Sequence, residues 1–158
     1  MLVVHRHPRR YYDKGYSIVS FATQEAVIVR CPKCAAIGYE TFKKNDGIYR
    51  HGHQFSCTQC PHRLNQQTSS IIIKPMPSLA VSRAAATSPY FGLSLYLKTA
   101  TRFGTLWAYN YPHLQALKQF ISADLRERHC DAGNSAWTSR LPRWMKQAHH
   151  RQELLKAI

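Results

Sequence analysis

Four cysteines in two closely spaced pairs are the residues of this chain best suited to chemistry. Cys31 and Cys34 form one Cys-x-x-Cys pair, and Cys57 and Cys60 form another after a spacer of 22 residues. Two such pairs can place four thiolates tetrahedrally around one metal ion, and a four-sulfur set favours Zn²⁺. Because four sulfurs leave no coordination position for water, we expect one structural zinc ion rather than a catalytic one.

The spacer between the two pairs has the pattern of a β-hairpin. Asn45-Asp46-Gly47 is a turn signal, and the flanking stretches 37–42 and 48–55 are rich in β-branched and aromatic residues. Each cysteine pair therefore sits at one end of a hairpin. Residues 26–30 predict a further strand that runs into the first pair.

This arrangement resembles the zinc-ribbon superfamily over residues 26–65. Pro32 lies inside the first pair and Pro61 directly follows the second, as in the metal-binding turns of that superfamily. The resemblance implies a small antiparallel sheet and a metal site held by the four cysteines. It does not imply one activity, because zinc ribbons occur in proteins that handle nucleic acids and also as purely structural units.

Redox chemistry and disulfide formation are the alternatives to a metal site. Residues 1–10 lack the apolar stretch of a signal peptide, so we expect a cytoplasmic protein, where reduced thiols favour metal binding. No apolar run is long enough to predict a membrane span. Three histidines lie near the cysteines in sequence but are not needed as ligands, and Cys130 is remote from both pairs. The three are His51, His53 and His62.

The charge of the chain indicates a polyanionic partner. The sequence has 22 Lys and Arg against 8 Asp and Glu, a formal net charge of +14, and no carboxylate between Asp46 and Asp124. A nucleic acid would compensate this self-repulsion. An acidic protein partner, or solubility alone, would also explain the composition. The residues that we expect to contact phosphates are Lys43, Lys44, Arg50, Arg63, Arg143, Lys146 and Arg151.

The scarcity of acidic residues argues against metal-dependent phosphoryl transfer, which uses clustered carboxylates to hold Mg²⁺. The chain has no P-loop and no Gly-x-Ser-x-Gly motif. We therefore expect a non-enzymatic protein. A metal-independent hydrolase that uses His and Tyr stays open as a weaker alternative.

The predicted fold class is α+β, with a four-cysteine zinc ribbon followed by a β-hairpin and a two-helix C-terminal unit. The predicted segments are an N-terminal β and basic segment (1–25), the ribbon (26–74), a linker rich in Pro, Ser, Ala and Thr (75–89) and a C-terminal α+β unit (90–158).

Within these segments, apolar patterns and turn residues predict the individual elements. Strands are expected at 16–21 and 71–73, and helices at 111–129 and from 141 to the end. A hairpin is expected from 93–97 and 105–109 around a turn at 102–104, with a helix as the alternative for its first half. Asn110 is the expected N-cap of the first helix, with Pro112 in its first turn.

Two functions from different classes fit these features. The first is a nucleic-acid-binding protein that contacts DNA or RNA mainly through phosphates. The second is an adaptor subunit that docks onto a larger protein or nucleoprotein complex through the ribbon and the Trp144-bearing C-terminal helix, since 18 aromatic residues are many for two small cores.

Overall fold

The computed structural model describes residues 7–44, 50–69, 86–128 and 136–158. The chain divides into two compact units. We call Val19–Leu114 the ribbon unit, and Met1–Ile18 together with Gln115–Ile158 the terminal unit. The mixture of antiparallel sheets and C-terminal helices confirms the predicted α+β class. The predicted four-segment division stays a prediction, because most of the proposed linker lies outside the described residues.

In chain order the elements are β1 (Arg10–Asp13), α1 (Ile18–Gln24), β2 (Val27–Arg30), β3 (Ile37–Lys44), β4 (Arg50–Cys57), β5 (Arg63–Ser69), β6 (Lys98–Thr101), β7 (Gly104–Trp107), α2 (Tyr111–Ser122), β8 (Leu125–Arg128), a 3-10 helix (Trp137–Arg140), α3 (Arg143–Lys146), a second 3-10 helix (Ala148–His150) and α4 (Arg151–Ala157).

The ribbon unit is built on an antiparallel sheet in the order β2-β3-β4-β5. Three of these strands were predicted from the sequence. The fourth, β5, begins at Arg63 in a stretch that has no apolar alternation, and it pairs with β4 along its length. The predicted turn 45–47 and the predicted strand 71–73 lie outside the described residues.

The core of the ribbon unit lies against one face of this sheet, which we call the inner face. Val27, Val29 and Phe55 are fully buried there. Gly38 shares this face, and a Cβ atom at this position would come within 2.3 Å of the Phe55 ring. The close approach of β3 to the Phe55 ring therefore requires glycine at position 38.

Residues 94–96 cover the outer edge of β2. The backbone N–H of Arg30 donates to Ser94 O at 2.8 Å, and that of Tyr96 donates to Ile28 O at 3.0 Å. These bonds satisfy backbone groups that an edge strand would otherwise expose.

Residues 16–21 were predicted as a strand, and this prediction is wrong, because helix α1 begins at Ile18. The contacts of α1 explain the difference. Asn110 Nδ2 donates to Phe21 O at 2.6 Å, and the Tyr90 hydroxyl donates to Ala22 O at 2.9 Å. Two side chains distant in sequence thus satisfy carbonyls in the last turn, and such tertiary support overrides local strand propensity.

The hairpin near residue 103 is confirmed, although its first strand lies later than predicted. Strand β6 begins at Lys98 and pairs with β7 from Lys98↔Trp107 to Thr101↔Gly104. The Thr101 hydroxyl donates to Gly104 O at 2.7 Å and fixes the turn. Gly104 has a φ of 142°, which is in the range that favours glycine.

Helix α2 begins where the sequence predicts but ends at Ser122, seven residues before the predicted end at 129. The Asn110 side chain caps it, since Oδ1 accepts the His113 backbone N–H at 3.1 Å. After the helix, Arg9 O accepts the N–H groups of Asp124 and Leu125 at 2.8 and 3.1 Å. These bonds turn the chain into β8, which pairs in parallel with β1.

The single C-terminal helix predicted from residue 141 is divided into short helices in the structure. Gln147 adopts an extended conformation, with φ −79° and ψ 128°, between α3 and the second 3-10 helix. The Arg126 guanidinium donates to Lys146 O at 2.6 Å, which satisfies a carbonyl at the break. Trp137, Met145 and Leu154 are buried in the terminal unit. Within the described part of the chain, no helix has the length and apolar character that a membrane crossing requires.

Candidate metal centre

The first cysteine pair lies in a tight turn directly after β2. The Ala35 backbone N–H donates to Cys31 O at 2.9 Å, and the Cys31 N–H donates to Ala36 O at 2.8 Å. Ala35 closes the turn with a φ of 59°. The Lys33 N–H points at Cys31 Sγ from 3.4 Å, so the turn directs backbone dipoles towards its sulfur.

The second pair begins at the last residue of β4 and has the same type of turn. The Gln59 N–H lies 3.4 Å from Cys57 Sγ, and the Cys57 N–H donates to His62 O at 3.2 Å. Thr58 joins this turn to β3, since its backbone N–H and its hydroxyl both donate to Ile37 O, at 3.1 and 2.7 Å. The ribbon sheet thus holds both turns at the same end.

The four sulfurs converge on one point. All four Sγ atoms lie within 4.8 Å of one another, with 3.7 Å between those of Cys31 and Cys60 and 3.4 Å between those of Cys34 and Cys57. Tetrahedral Zn–S bonds of about 2.3 Å require sulfurs roughly 3.8 Å apart. The separations exceed a disulfide bond of about 2.05 Å, and all four cysteines are free. The four cysteines are therefore arranged to hold a metal ion.

The acidity of the thiols differs across the cluster. The backbone N–H of Gln59, supported by that of Cys60, lowers the pKa of Cys57 to about 6. At Cys60 the backbone N–H of His62 favours the thiolate, but desolvation and the neighbouring Cys57 outweigh it and raise the pKa to about 12. A bound cation would remove this conflict, because it stabilises all four thiolates together.

His53 and His62 do not join the ligand set. Among the described residues, only the four cysteines form a group of three or more side chains that can hold a metal. His53 instead stacks on Tyr90, with 4.0 Å between ring centroids, and His62 lies 5.6 Å from the Phe55 ring. Cys130 lies outside the described residues.

His113, which the sequence places in the carboxylate-free window, is a core residue. It is 1% exposed, and its Nδ1 accepts the Tyr109 backbone N–H at 3.2 Å. Burial lowers the pKa of His113 to about 3. The imidazole is neutral at physiological pH and does not add to the positive surface.

The predicted phosphate-contacting residues are divided between the two units. Lys43, Lys44 and Arg50 lie at the ends of β3 and β4 that are remote from the cysteines. Arg63 starts β5, three residues after Cys60, and is exposed. These four belong to the ribbon unit.

Arg143, Lys146 and Arg151 belong to the terminal unit, and two of the three are engaged within it. The Lys146 Nζ donates to Ser139 O at 2.8 Å. Arg151 donates to Asp124 at 2.5 Å and to Ala123 O at 2.8 Å. Arg143 is exposed. The contacts of Lys146 and Arg151 give both residues a structural role that the sequence did not indicate.

A buried carboxyl group in the ribbon unit was not anticipated. Glu40 on β3 is fully buried, and its Oε1 accepts the Ser88 hydroxyl at 2.6 Å. Burial raises the pKa of Glu40 to about 7. Period two places Glu40 on the same face as Gly38, but the sequence does not indicate that this face is the covered one.

Most described carboxylates are buried or paired. Asp13 is buried and accepts the Thr138 hydroxyl. Asp124 pairs with Arg151 and Arg9, and Glu127 pairs with Arg10 at 2.8 Å. Asp124 and Glu127 therefore compensate Arg9, Arg10 and Arg151 locally, and not the cations elsewhere in the chain.

A four-cysteine cluster on an antiparallel sheet fits a zinc ribbon, as the sequence predicts. Comparisons of the chain with known protein families, with curated proteins and with solved structures each returned no match.

Proposed function

We propose that this chain is a nucleic-acid-binding protein whose ribbon is stabilised by one structural Zn²⁺ ion. Cys31, Cys34, Cys57 and Cys60 would hold the ion. Zinc is favoured over other metals because four thiolates at tetrahedral spacing form a closed site that suits it. The ion would supply folding free energy to a sheet that is too small to bury a large core.

The observation that carries this proposal is the large excess of cations over carboxylates in the ribbon unit. The ribbon unit contains ten Lys and Arg against three carboxylates, Glu25, Glu40 and Asp46. Of these, Glu25 is exposed, Glu40 is buried and Asp46 lies outside the described residues. A positive surface with so little internal compensation favours a polyanion, and phosphate contacts supply most of the affinity of such complexes.

Within this proposal, the cations of the ribbon unit are the better candidates for phosphate contacts. Lys146 and Arg151 donate to groups of their own unit, so binding a phosphate would compete with those contacts. Lys43, Lys44, Arg50 and Arg63, with Arg143 as an additional site, make up the revised set.

The metal part is tested by native mass spectrometry of the purified protein. We expect one zinc per chain in the wild type and none in Cys34→Ser, which removes an exposed ligand. Cys130→Ser is the matched control and retains the ion. A wild-type protein that binds no metal when refolded with zinc would contradict the assignment.

The second candidate function is that of an adaptor subunit in a larger complex, and one observation favours it. Three large side chains of the terminal unit are exposed: Tyr12 by 59%, Tyr16 by 56% and Leu125 by 42%. Exposed aromatic and aliphatic groups are typical of protein interfaces. By contrast, Trp137 is buried against Phe120, so that tryptophan belongs to a core. Loss of a co-purifying partner in a Tyr12→Ser, Tyr16→Ser variant would support this reading.

A further inference from the structure

The ribbon sheet has a second face, which we call the outer face. Since side chains alternate along a strand and paired residues share a face, the register shows which residues belong to it. From β3 to β5 they include Tyr39, Ser56 and Arg63 in one row, Thr41, Gln54 and Asn65 in the next, and Gly52 in a third. The opposite, inner face is covered, because Ser88 bonds to Glu40 and Tyr90 stacks on His53. On β2 the outer face is closed by buried Ile28, so its open part spans β3 to β5.

An exposed aromatic ring and a cation lie in one row across the outer face. Tyr39 is 40% exposed, pairs with Ser56 on β4, and Ser56 pairs with Arg63 on β5. Adjacent strands lie about 4.8 Å apart, so the backbones at Tyr39 and Arg63 are roughly 10 Å apart. At this spacing the Tyr39 ring can stack on a base while the Arg63 guanidinium contacts a phosphate.

The row next to Tyr39 on the outer face consists of neutral hydrogen-bonding groups, which are Thr41, Gln54 and Asn65. Hydroxyl and amide groups both donate and accept, as base edges require. No carboxylate is among the described residues of this face, because the register places Glu40 on the inner face. The electrostatics of the surface therefore suit an anionic chain rather than a neutral or basic peptide.

No side chain projects from the outer face at Gly52, which lies in the third row. It lies opposite Lys43 on β3, and a Cβ atom built on it would have no neighbour within 4 Å. Its φ is not in the left-handed range, so the backbone does not demand glycine. Glycine inside a strand often marks the close approach of a ligand or of another backbone.

We propose that the outer face binds single-stranded nucleic acid, with one unpaired base stacked on Tyr39 and the adjoining phosphate at Arg63. This inference rests on the proposed nucleic-acid function and specifies its substrate class and contact surface. A duplex is disfavoured because its bases are already stacked on one another and cannot reach the Tyr39 ring. Recognition of base pairs in a duplex groove also needs an α-helix or a two-stranded β-hairpin that enters the groove. The outer face is instead an open sheet surface with a glycine in its third row.

The test is fluorescence anisotropy of zinc-loaded protein with three labelled probes of equal phosphate number: a single-stranded oligonucleotide, its duplex and an abasic single strand. Tyr39→Ala is compared with Tyr39→Phe, which retains the ring. Tyr111→Ala is the matched control, because Tyr111 is 64% exposed but lies on helix α2. Because one base stacks on the ring, removal of the ring should lower the binding affinity by roughly 5- to 150-fold.

We expect Tyr39→Ala to lose affinity in this range for the single strand and to change little for the abasic strand. Tyr39→Phe and Tyr111→Ala should bind like the wild type. If the wild type binds nucleic acid but Tyr39→Ala binds the single strand equally well, the contact surface is wrong and the nucleic-acid function stands. If the wild type binds none of the probes, both proposals fail.

A second variant tests the same surface without touching the aromatic ring. Gly52→Val places a β-branched side chain in open space on β4, where strand propensity favours it. We expect the variant to fold and to retain zinc, but to bind the single strand at least several-fold more weakly. Unchanged affinity in a folded Gly52→Val protein would contradict the proposal that a ligand approaches this row.

Discussion

At the scale of single residues, two positions of the ribbon unit show how the inner face constrains the chain. Gly38 leaves room for the Phe55 ring, and Glu40 is buried with Ser88 as its hydrogen-bond partner. Neither constraint is visible in the cysteine pattern that identifies the site. Both become clear only when the sheet register shows which residues face the core.

Gly38→Ala should destabilise the ribbon unit. Its Cβ would lie 2.3 Å from a ring carbon of Phe55, so the ring or the strand must move. Overpacking of this kind costs about 1–3 kcal/mol, measurable by urea denaturation of zinc-loaded protein. Gly52→Ala is the control, because its added Cβ meets open space. Equal stability of the two variants would contradict the packing described for Gly38.

Glu40→Gln should change how stability depends on pH. Burial raises the pKa of Glu40 from 4.5 to about 7 in the folded state. The folded protein therefore binds this proton more tightly than the unfolded chain, and the Glu40 contribution to stability falls as pH rises from about 4.5 to 7. Above about pH 7 the contribution of Glu40 to stability no longer depends on pH.

The glutamine variant lacks this titration. The difference in free energy of unfolding between Glu40→Gln and the wild type should shift in favour of the variant by about 2–3 kcal/mol between pH 5 and pH 8. Urea denaturation at both pH values measures it. The comparison cancels the shared titration of the cysteines and histidines. A difference that does not depend on pH would mean that the Glu40 carboxyl is not buried as described.

At the scale of elements, the ribbon was predictable because its signals are local. Cysteine spacing, a turn tripeptide and β-rich flanks predict β3 and β4, and the Asn110 cap predicts the start of α2. Two of the elements that were missed depend on distant partners. Helix α1 is stabilised by Tyr90 and Asn110, and β8 by β1, which are contacts between residues far apart in sequence. Strand β5 pairs with the neighbouring β4, but its own sequence has no apolar alternation that would indicate a strand.

Asn110 is predicted to stabilise two helices at once. Its Oδ1 caps α2, and its Nδ2 donates to the last turn of α1. Asn110→Ala removes both bonds from a buried site and should cost about 2–3 kcal/mol. Asn110→Asp keeps the capping acceptor but places a carboxylate oxygen against Phe21 O at a buried site, so it should be at least as destabilising as alanine. A mild effect of alanine, within about 0.5 kcal/mol in thermal or urea denaturation, would contradict this role.

At the scale of the whole molecule, a sheet that carries a four-cysteine cluster belongs to a chain with a net charge of +14. The net charge follows from the composition, but the composition does not show which cations are available to a partner. The structure shows that several carboxylates are buried or paired and that Lys146 and Arg151 already have contacts in their own unit. Sequence alone cannot distinguish a cation that holds a carbonyl from one that faces solvent.

Removal of the metal should affect one unit more than the other. All four candidate ligands belong to the ribbon unit, so a chelator should expose the amides of β3 and β4 to hydrogen exchange. Amides of α2 beyond Leu114 and of α4 should keep more of their protection. Loss of protection to the same extent in both units would show that the metal supports the chain as one cooperative body.

The most direct test of the central claim is the salt dependence of binding to a single-stranded oligonucleotide, measured for zinc-loaded wild type, Arg63→Gln and the charge-matched control Lys156→Gln. Four ribbon cations in contact with phosphates predict a slope of log K against log salt of about −3. Arg63→Gln should reduce its magnitude by about 0.7–1, whereas Lys156→Gln leaves it unchanged. Weak binding that does not respond to salt would contradict the nucleic-acid function itself.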